Sequence, residues 1–166
     1  MKIKRALINV ADKTNLHKLA PFLQENGVEI VSWGTTLKYL KQHHIVAKPI
    51  SPEQIENIAV GRMDEFNLIV MNLNHIEGII NKNGTTVEDA ITHIDVASAS
   101  VLRQAAKQYD QVVTLINPED YEDFMNYYNK DQLSDKQCLK YAQKVFAHTS
   151  KYDSIIAQFL YIKTVL

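Results

Sequence analysis

The chain has 166 residues, a formal net charge of −1, 46% hydrophobic residues and 22% charged residues. These values are typical of a globular protein that folds without metals or disulfides, and no apolar run is long enough to span a bilayer. Because the sequence has no basic stripe, nothing favours nucleic acid as a partner. The N-terminal residues lack a cleavage-site pattern, so we expect a cytoplasmic protein. The length of the chain predicts a single domain over residues 1–166.

Short runs rich in β-branched residues alternate along the chain with longer amphipathic stretches. This alternation predicts an α/β fold of three layers, with an open, mainly parallel sheet of about five strands and helices on both faces. The predicted strands are Arg5 to Val10, Val28 to Ser32, Ile45 to Ile50, Leu68 to Leu73 and Val112 to Ile116.

The amphipathic stretches predict helices between these strands. The first helix follows Asp12 and ends at Gly27, which supplies a left-handed cap, and the second follows Gly34-Thr35-Thr36. A short third helix follows Ser51, with Pro52 at its first position. The remaining predicted helices are Thr86 to His93, Ser98 to Lys107, Pro118 to Tyr128, and one or two long helices from Ser134 to about Ile162.

Cysteine and histidine give no sign of a metal or disulfide site. Cys138 is the only cysteine and lies in a helical pattern, so we expect a small buried side chain without a catalytic role. The pair His43-His44 has no further partners at the spacing of metal ligands. We therefore predict no metal site.

Two strand-to-helix turns carry groups that suit an anion. One is Asn9-Val10-Ala11-Asp12-Lys13-Thr14 and the other is Ser32-Trp33-Gly34-Thr35-Thr36. Such turns point unpaired backbone N–H groups at a ligand, hydroxyl groups add donors, and Lys13 could neutralise the charge. The alternative is that Asp12 and Thr36 are helix N-caps and Lys13 is a solvated cation.

Two further polar stretches lie near predicted strand ends or helix ends. Asn72-Leu73-Asn74-His75 follows a strand, at the sheet edge where ligands bind in parallel folds, although these residues also suit a turn or a helix cap. Asp95 precedes a predicted helix and Lys107 lies at its far end. A capping Asp and a cation favoured by the helix dipole are the alternatives here.

Five motifs in this order resemble the N-terminal IMP cyclohydrolase domain of the bifunctional AICAR transformylase/IMP cyclohydrolase, within the methylglyoxal-synthase-like superfamily. The two turns resemble the family's Ser-Val-Ser-Asp-Lys-Thr and Ser-Thr-Gly-Gly-Thr segments. Residues 70–73 resemble Val-Val-Asn-Leu, and residues 94–96 and 102–107 resemble Ile-Asp-Ile and Leu-Arg-Ala-Ala-Ala-Lys. The fifth motif, Val145 to Asp153, resembles Ala-Phe-x-His-Thr-Ala-x-Tyr-Asp. The resemblance covers nearly the whole chain.

The resemblance implies a ring closure that needs no cofactor. In this family, the carboxamide nitrogen of a formylated imidazole ribonucleotide, FAICAR, attacks its own formyl carbon, and loss of water gives IMP. Asp95 would orient or deprotonate the amide, Lys107 would supply positive charge or a proton, and Asn72 would hold the carboxamide. The residues that would receive the 5′-phosphate are Lys13, Thr14, Ser32, Gly34, Thr35 and Thr36. The expected partner is a phosphorylated ribonucleotide, and a homodimer is left open.

The sequence departs from the family at three places. The Gly-Arg-Val-Lys-Thr-Leu-His-Pro loop, with a catalytic Lys and Thr, is reduced to Gly61-Arg62 before Met63-Asp64-Glu65-Phe66. Asn74 replaces a Tyr, and Ala97-Ser98 replaces a Gly-Gly pair. We take Arg62 or His75 as the hypothetical replacement for the lost electrophilic group, on their placement alone.

Three functions are compatible with these observations. The first is a stand-alone cyclohydrolase of purine biosynthesis, acting on FAICAR or a related ribonucleotide, which the retained Asp95 and Lys107 favour. The second is a catalytically degenerate nucleotide- or phosphate-binding module with a regulatory or partner-binding role, which the lost loop favours. The third is methylglyoxal synthase, which the run Gly34-Thr35-Thr36 favours, but the expected Gly-Gly-Asp segment is missing.

Overall fold

A computed structural model describes residues 1–63 and 65–165, so Asp64 of the shortened loop and Leu166 lie outside the described residues. The strands are β1 (Arg5–Asn9), β2 (Glu29–Ser32), β3 (Ala47–Pro49), β4 (Leu68–Met71) and β5 (Val113–Leu115). The helices are α1 (Leu16–Glu25), α2 (Gly34–Gln42), α3 (Pro52–Ala59), α4 (Ile76–Ile80), α5 (Val87–Thr92), α6 (Val96–Lys107), α7 (Asp120–Asn129) and α8 (Asp135–Val165). Each predicted strand is confirmed, and each is shorter than predicted by one to three residues in total.

The strands form one parallel sheet in the order β3-β2-β1-β4-β5. From β1 the chain passes to β2 and β3 on one side, and then crosses to β4 on the other side of β1. Open parallel sheets bind ligands beyond the carboxyl ends of the strands at such a change of direction. The turns after β1, β2 and β4 are therefore the first places to look for a site.

Helices cover both faces of the sheet, which confirms the three-layer α/β prediction. On one face Ile8 and Ile30 pack with Leu19 of α1 and Phe124 of α7. On the other face the core residues come from α3, α6, α8 and alternate positions of β1, β2 and β4; they include Leu7, Val31, Ile58, Ile69, Leu102 and Val145. Alternate side chains of a strand point to opposite faces, so both cores are built from the same short runs.

The helix starts show which turn residues act as caps. Ser51 forms the predicted cap of α3, since its hydroxyl accepts a hydrogen bond from Gln54 N at 3.1 Å. The alternative reading of Asp12 and Thr36 as N-caps is wrong, because Asn15 occupies the N-cap position of α1, without a side-chain capping hydrogen bond, and Thr36 lies inside α2. The helix predicted from Ser98 begins at Val96, with Asp95 as its N-cap.

Helix α4 is absent from the sequence prediction, whereas α8 is the single-helix form of the two alternatives predicted for the C-terminal segment. The five residues of α4 are too few to show a helical period, so this helix was missed. Residues 135–165 form one continuous helix, and Cys138 on it is 1% exposed, as predicted. No helix in the described part of the chain is both long and apolar enough to cross a membrane.

Candidate active site

The side chain of Asn72 organises the turn that follows β1. Its Oδ1 accepts hydrogen bonds from Ala11 N at 2.7 Å and from Asp12 N at 3.0 Å. Its Nδ2 donates to the carbonyl oxygen of Asp12 at 3.1 Å. Asn72 directly follows β4, which neighbours β1, so its amide fixes the turn across the point where the connection changes direction. The second N–H of the amide forms no hydrogen bond with the described residues, so it could donate to a ligand.

Thr36 joins the same turn to the first turn of α2. Its Oγ1 accepts from Val10 N at 3.1 Å and donates to Val10 O at 3.0 Å. These two hydrogen bonds, made by a buried side chain, hold the two strand-to-helix turns that were predicted to bind an anion against each other. The sequence predicts each turn separately, and the contact between them is visible only in the folded chain.

The prediction of unpaired backbone N–H groups is wrong for the β1 turn. Thr36 and Asn72 occupy the N–H groups of Val10, Ala11 and Asp12, and Thr14 N donates to Asp12 Oδ1 at 2.9 Å. These bonds satisfy the donors locally because Asp and Asn side chains readily bond nearby backbone. The turn therefore offers side chains to a ligand in place of those N–H groups.

Charged groups surround this turn. Hydrogen bonds from the side chain and backbone N–H of Thr14 lower the pKa of Asp12, and the positive charges of His75 and Lys13 lower it further. The half-buried Lys13 directs its Nζ at the carbonyl oxygen of Val10, at 3.3 Å. Its ammonium forms no ion pair with a carboxylate of the described residues.

The N-terminus of α2 is the part of the second turn that remains open. Trp33 is the N-cap, and no side chain of the described residues caps the helix there. The N–H groups of Gly34, Thr35 and Thr36 have no partner within the helix, because the first turn of any helix lacks one. Gly34 has φ 57°, and a Cβ placed on it would meet no atom within 4 Å. The space beside the Gly34 backbone is thus open.

Ser32 lies directly before this helix end and is fully buried. Its Oγ has no hydrogen-bond partner among the described residues. A buried hydroxyl without a partner costs about 1–3 kcal/mol. The N–H groups and the dipole at the N-terminus of α2 suit an anion, and the Ser32 hydroxyl, which is closed off from solvent, would reach that anion only if the turn shifted.

Asp95 is held at the start of α6 by two contacts. Its Oδ1 accepts from Ser98 N at 3.0 Å, and its backbone N–H donates to Tyr152 Oη at 2.9 Å. Burial raises the pKa of the Tyr152 phenol. Tyr152 lies in the motif from Val145 to Asp153, but neither its spacing nor the resemblance predicts a site role for it.

The same motif binds the middle of α6 to α8. Arg103 Nε donates to Thr149 Oγ1 at 3.2 Å, and the Arg103 guanidinium pairs with the Asp153 carboxylate. Three residues of the motif, Thr149, Tyr152 and Asp153, therefore contact α6. These contacts set the position of the helix that carries Asp95 and Lys107.

Asp95 and Lys107 line one groove but lie at its two ends. The groove has a volume of about 570 Å³ and runs along α6 beside Arg103 and Gln104. With a rise of 1.5 Å per residue, the twelve steps from Asp95 to Lys107 span about 18 Å. Within one chain, the two side chains cannot act on the same atoms.

His75 and Arg62 occupy different places. His75 is exposed at the start of α4, and it lines a cavity of about 120 Å³ with His148, Lys151 and Tyr152. Arg62 lines another cavity with Glu65, whose carboxylate contacts Arg5 at the first residue of β1. This second cavity lies toward the amino ends of the strands, away from Asp95. Throughout residues 1–63 and 65–165, no cluster of three or more His, Cys, Asp or Glu could hold a metal ion.

An apolar cleft connects the N-terminus of α2 with the start of α6. It has a volume of about 260 Å³ and reaches from Trp33 to Val96, the residue after Asp95. The residues that line it are Leu7, Trp33, Ile50, Ile55, Ile58, Val96, Ala97, Ser100 and Val101. The cleft thus runs from Trp33 to the first residues of α6, and Asp95 itself lines the neighbouring groove along α6.

Comparison with known proteins identifies the family. The family described as AICARFT/IMPCHase bienzyme matches residues 105–165. The bifunctional purine biosynthesis protein PurH of Leptospira biflexa is 31% identical over 96% of this chain, and that of Bacillus subtilis is 33% identical over 96%. The chain is an IMP cyclohydrolase-like domain.

The IMP cyclohydrolase-like domain spans 37% of the length of these two relatives. The matched region covers 191 aligned residues against the 166 of this chain, so the relatives have extra residues within it. This difference agrees with a shortened loop. The crystal structure of ForH has the same fold, with a TM-score of 0.78 and 19% identity, covering 96% of this chain and all of that chain.

Proposed function

We propose that this domain binds a phosphorylated ribonucleotide and closes its ring by intramolecular attack of a carboxamide nitrogen on a formyl group. The reaction would be FAICAR to IMP, or the same step on a related substrate, in the cytoplasm. One observation carries the proposal: the N-terminus of α2 has no side-chain cap among the described residues, and the buried Ser32 shortly before it has a hydroxyl without a partner among those residues. Purine biosynthesis is supported by the relatives, which are named purine biosynthesis proteins.

The 5′-phosphate is proposed to bind at the two joined turns. The N–H groups of Gly34, Thr35 and Thr36 would donate to its oxygens, together with the hydroxyls of Ser32 and Thr14. Lys13 would supply the balancing charge, since its Nζ forms no ion pair within the described part of the chain. Helix ends of this kind stabilise phosphate through N–H groups and the helix dipole.

The ring closure requires three tasks of the protein. Because both reacting groups belong to one molecule, holding the carboxamide against the formyl carbon fixes the reactive rotamer. Asp95 would accept the amide proton as the nitrogen attacks, and a positive group would stabilise the oxyanion that forms on the formyl oxygen. That oxygen then leaves as water, taking the proton held by Asp95 and the proton that the former formamide nitrogen loses as the ring C=N bond forms. Asn72 has one N–H left to hold the carboxamide.

A homodimer would bring the required charges together. Asp95 and Lys107 are separated by about 18 Å of helix, so both could reach one substrate only if one of them came from a second copy. His75, exposed next to the β4 turn, is the alternative positive group from the same chain. Arg62 stays a prediction without support from its position, because its cavity lies toward the other edge of the sheet.

Mixing two inactive variants tests this arrangement. Asp95→Asn and Lys107→Ala would each abolish ring closure, and mixed dimers should recover about a quarter of the activity, since half the dimers then carry one intact site. No recovery in a sample shown to exchange subunits would mean that Asp95 and Lys107 do not share a site.

The main experiment measures ring closure directly. Purified protein with FAICAR should give the ultraviolet change of purine formation, and Asp95→Asn should lower kcat by at least about 100-fold. Asn caps a helix as well as Asp does, so the variant should keep its stability. A variant with full activity would remove Asp95 from the mechanism.

Phosphate binding is tested separately from turnover. IMP should raise the melting temperature through linkage, and Lys13→Ala should weaken this shift, whereas Lys18→Ala on the exposed side of α1 should not. An equal shift in both variants would place the ligand elsewhere.

The alternative function is a nucleotide-binding module without catalysis. The observation that favours it is the reduced loop, because Arg62, the remaining cation of that segment, lines a cavity away from Asp95. A shift in melting temperature with IMP, together with no ring closure above the uncatalysed rate, would support this alternative.

A further inference from the structure

We infer that Trp33 is a specificity-determining residue that stacks against the base of the bound nucleotide in the apolar cleft beside it. The inference rests on the proposed function, since it assumes that phosphate binds at the N-terminus of α2. It adds the recognition of the base, which the phosphate site alone cannot provide.

The position of Trp33 connects the two parts of the ligand. Trp33 is the N-cap of α2, and the next residues, Gly34 and Thr35, offer the N–H groups proposed to bind phosphate. Its half-buried ring also lines the cleft that leads to Val96. A nucleotide with its phosphate on α2 and its base in the cleft would therefore point its reactive edge toward Asp95.

The size and lining of the cleft suit one flat ring system. Its volume is about 260 Å³. Sites that enclose whole drug-sized ligands have about 300–1,000 Å³, so the cleft fits the base and leaves ribose and phosphate outside. Eight of the nine lining residues are apolar, Ser100 being the exception. The cleft would thus recognise a ring by its faces.

Exposed apolar side chains at the cleft favour a ligand there. Val96 is 70% exposed and Ile55 is 53% exposed, on the two helices that form the cleft walls. Covering such side chains with a flat ring removes apolar surface from water, which is favourable. A base also stacks well on tryptophan, because both have extended π-faces.

Trp33 differs from the residue at this position of the family motif, and the difference changes the contacts available to a ligand. The resembling segment has Thr at this position, which cannot stack on a base. A Trp introduced there offers its ring to the ligand without altering the Gly34 backbone that the turn requires. Base stacking on an aromatic side chain contributes about 1–3 kcal/mol.

The chain contains one tryptophan, so its fluorescence reports on Trp33 alone. We would titrate the protein with IMP and with ribose 5-phosphate, following Trp33 emission and measuring affinity by calorimetry. IMP should quench the emission and bind at least tenfold more tightly than ribose 5-phosphate. Trp33→Leu should remove most of that preference while leaving the affinity for ribose 5-phosphate unchanged, and Trp33→Phe should retain part of it.

Val46→Ala serves as the control. Val46 is 74% exposed and precedes β3, whereas the cleft residue Ile50 follows β3, so Val46 lies at the other end of that strand from the cleft. This variant should keep the full preference for IMP, and melting curves would verify that each variant folds. Equal affinities for IMP and ribose 5-phosphate, or IMP binding without a change in emission, would overturn the inference and leave the phosphate site intact. If neither ligand binds, the proposed function fails with it.

Discussion

The hydroxyl of Tyr152 accepts a hydrogen bond from the backbone N–H of Asp95 at 2.9 Å, which ties the start of α6 to the middle of α8. The Tyr152 side chain is buried, so water cannot easily replace it as acceptor. Tyr152 therefore holds the backbone of Asp95 in place. Its contribution can be measured as stability.

Tyr152→Phe should lower the free energy of unfolding by about 1–2 kcal/mol, because the N–H of Asp95 loses its acceptor. Tyr161→Phe is the matched control on the same helix, since Tyr161 is 66% exposed, and it should change stability by less than about 0.5 kcal/mol. Urea unfolding of both variants measures the difference. Equal stabilities would show that the hydrogen bond contributes nothing.

Thr36→Val should destabilise the protein by about 1–3 kcal/mol, although valine has nearly the same shape as threonine. The variant leaves the N–H and C=O of Val10 without the Thr36 hydroxyl that now binds both. Thr36→Ser keeps the hydroxyl and loses one methyl group, at a cost of about 0.8 kcal/mol. Urea unfolding should thus rank serine above valine, and the reverse order would contradict the role of the hydroxyl.

The local periodicity of the sequence predicted the strands and most helices, because Leu16, Leu19 and Leu23 repeat at helical spacing and β-branched runs mark the strands. Contacts between distant residues were not predictable in this way. Asn72 lies 61 residues from Ala11, and its bond to that N–H depends on β4 pairing with β1. The occupied amides of the β1 turn follow from this pairing, which no local pattern reveals.

The motif resemblance reached further than periodicity, because it implied roles for Asp95, Lys107 and Asn72, but it did not indicate the contacts that hold these residues in place. It identified the segment from Val145 to Asp153, yet the contact of Tyr152 with Asp95, 57 residues away, is visible only after α8 packs on α6. The placement of Arg62 likewise depends on the path of the shortened loop. The site residues themselves stay predictions until the variants above are measured.

Cys138 should react with a thiol reagent at least about 100-fold more slowly in the native protein than in urea. Its side chain is 1% exposed, and burial raises the pKa of its thiol, so both access and the reactive thiolate are reduced. Reaction then requires opening of α8, and its rate reports that opening. Rapid labelling of the native protein would mean that this part of α8 opens readily.

The pH dependence of stability should contain a contribution from His148. Burial lowers the pKa of His148 below its reference value of 6.5, and the positive charge of Lys151 lowers it further. The unfolded chain then binds a proton more readily than the folded chain, so stability increases with pH in this range. The contribution is fully present above about pH 6.5 and is lost as pH falls through the lowered pKa.

His148→Gln should therefore lose less stability than the wild type between pH 7 and pH 5 in urea unfolding. The charged groups in the same cavity, His75, Glu77 and Lys151, remain in the variant, so the difference isolates His148. His17→Gln, on the exposed side of α1, is the control and should follow the wild-type profile. If His148→Gln also follows that profile, the His148 ring is hydrated in the folded protein and the cavity does not disfavour its charge.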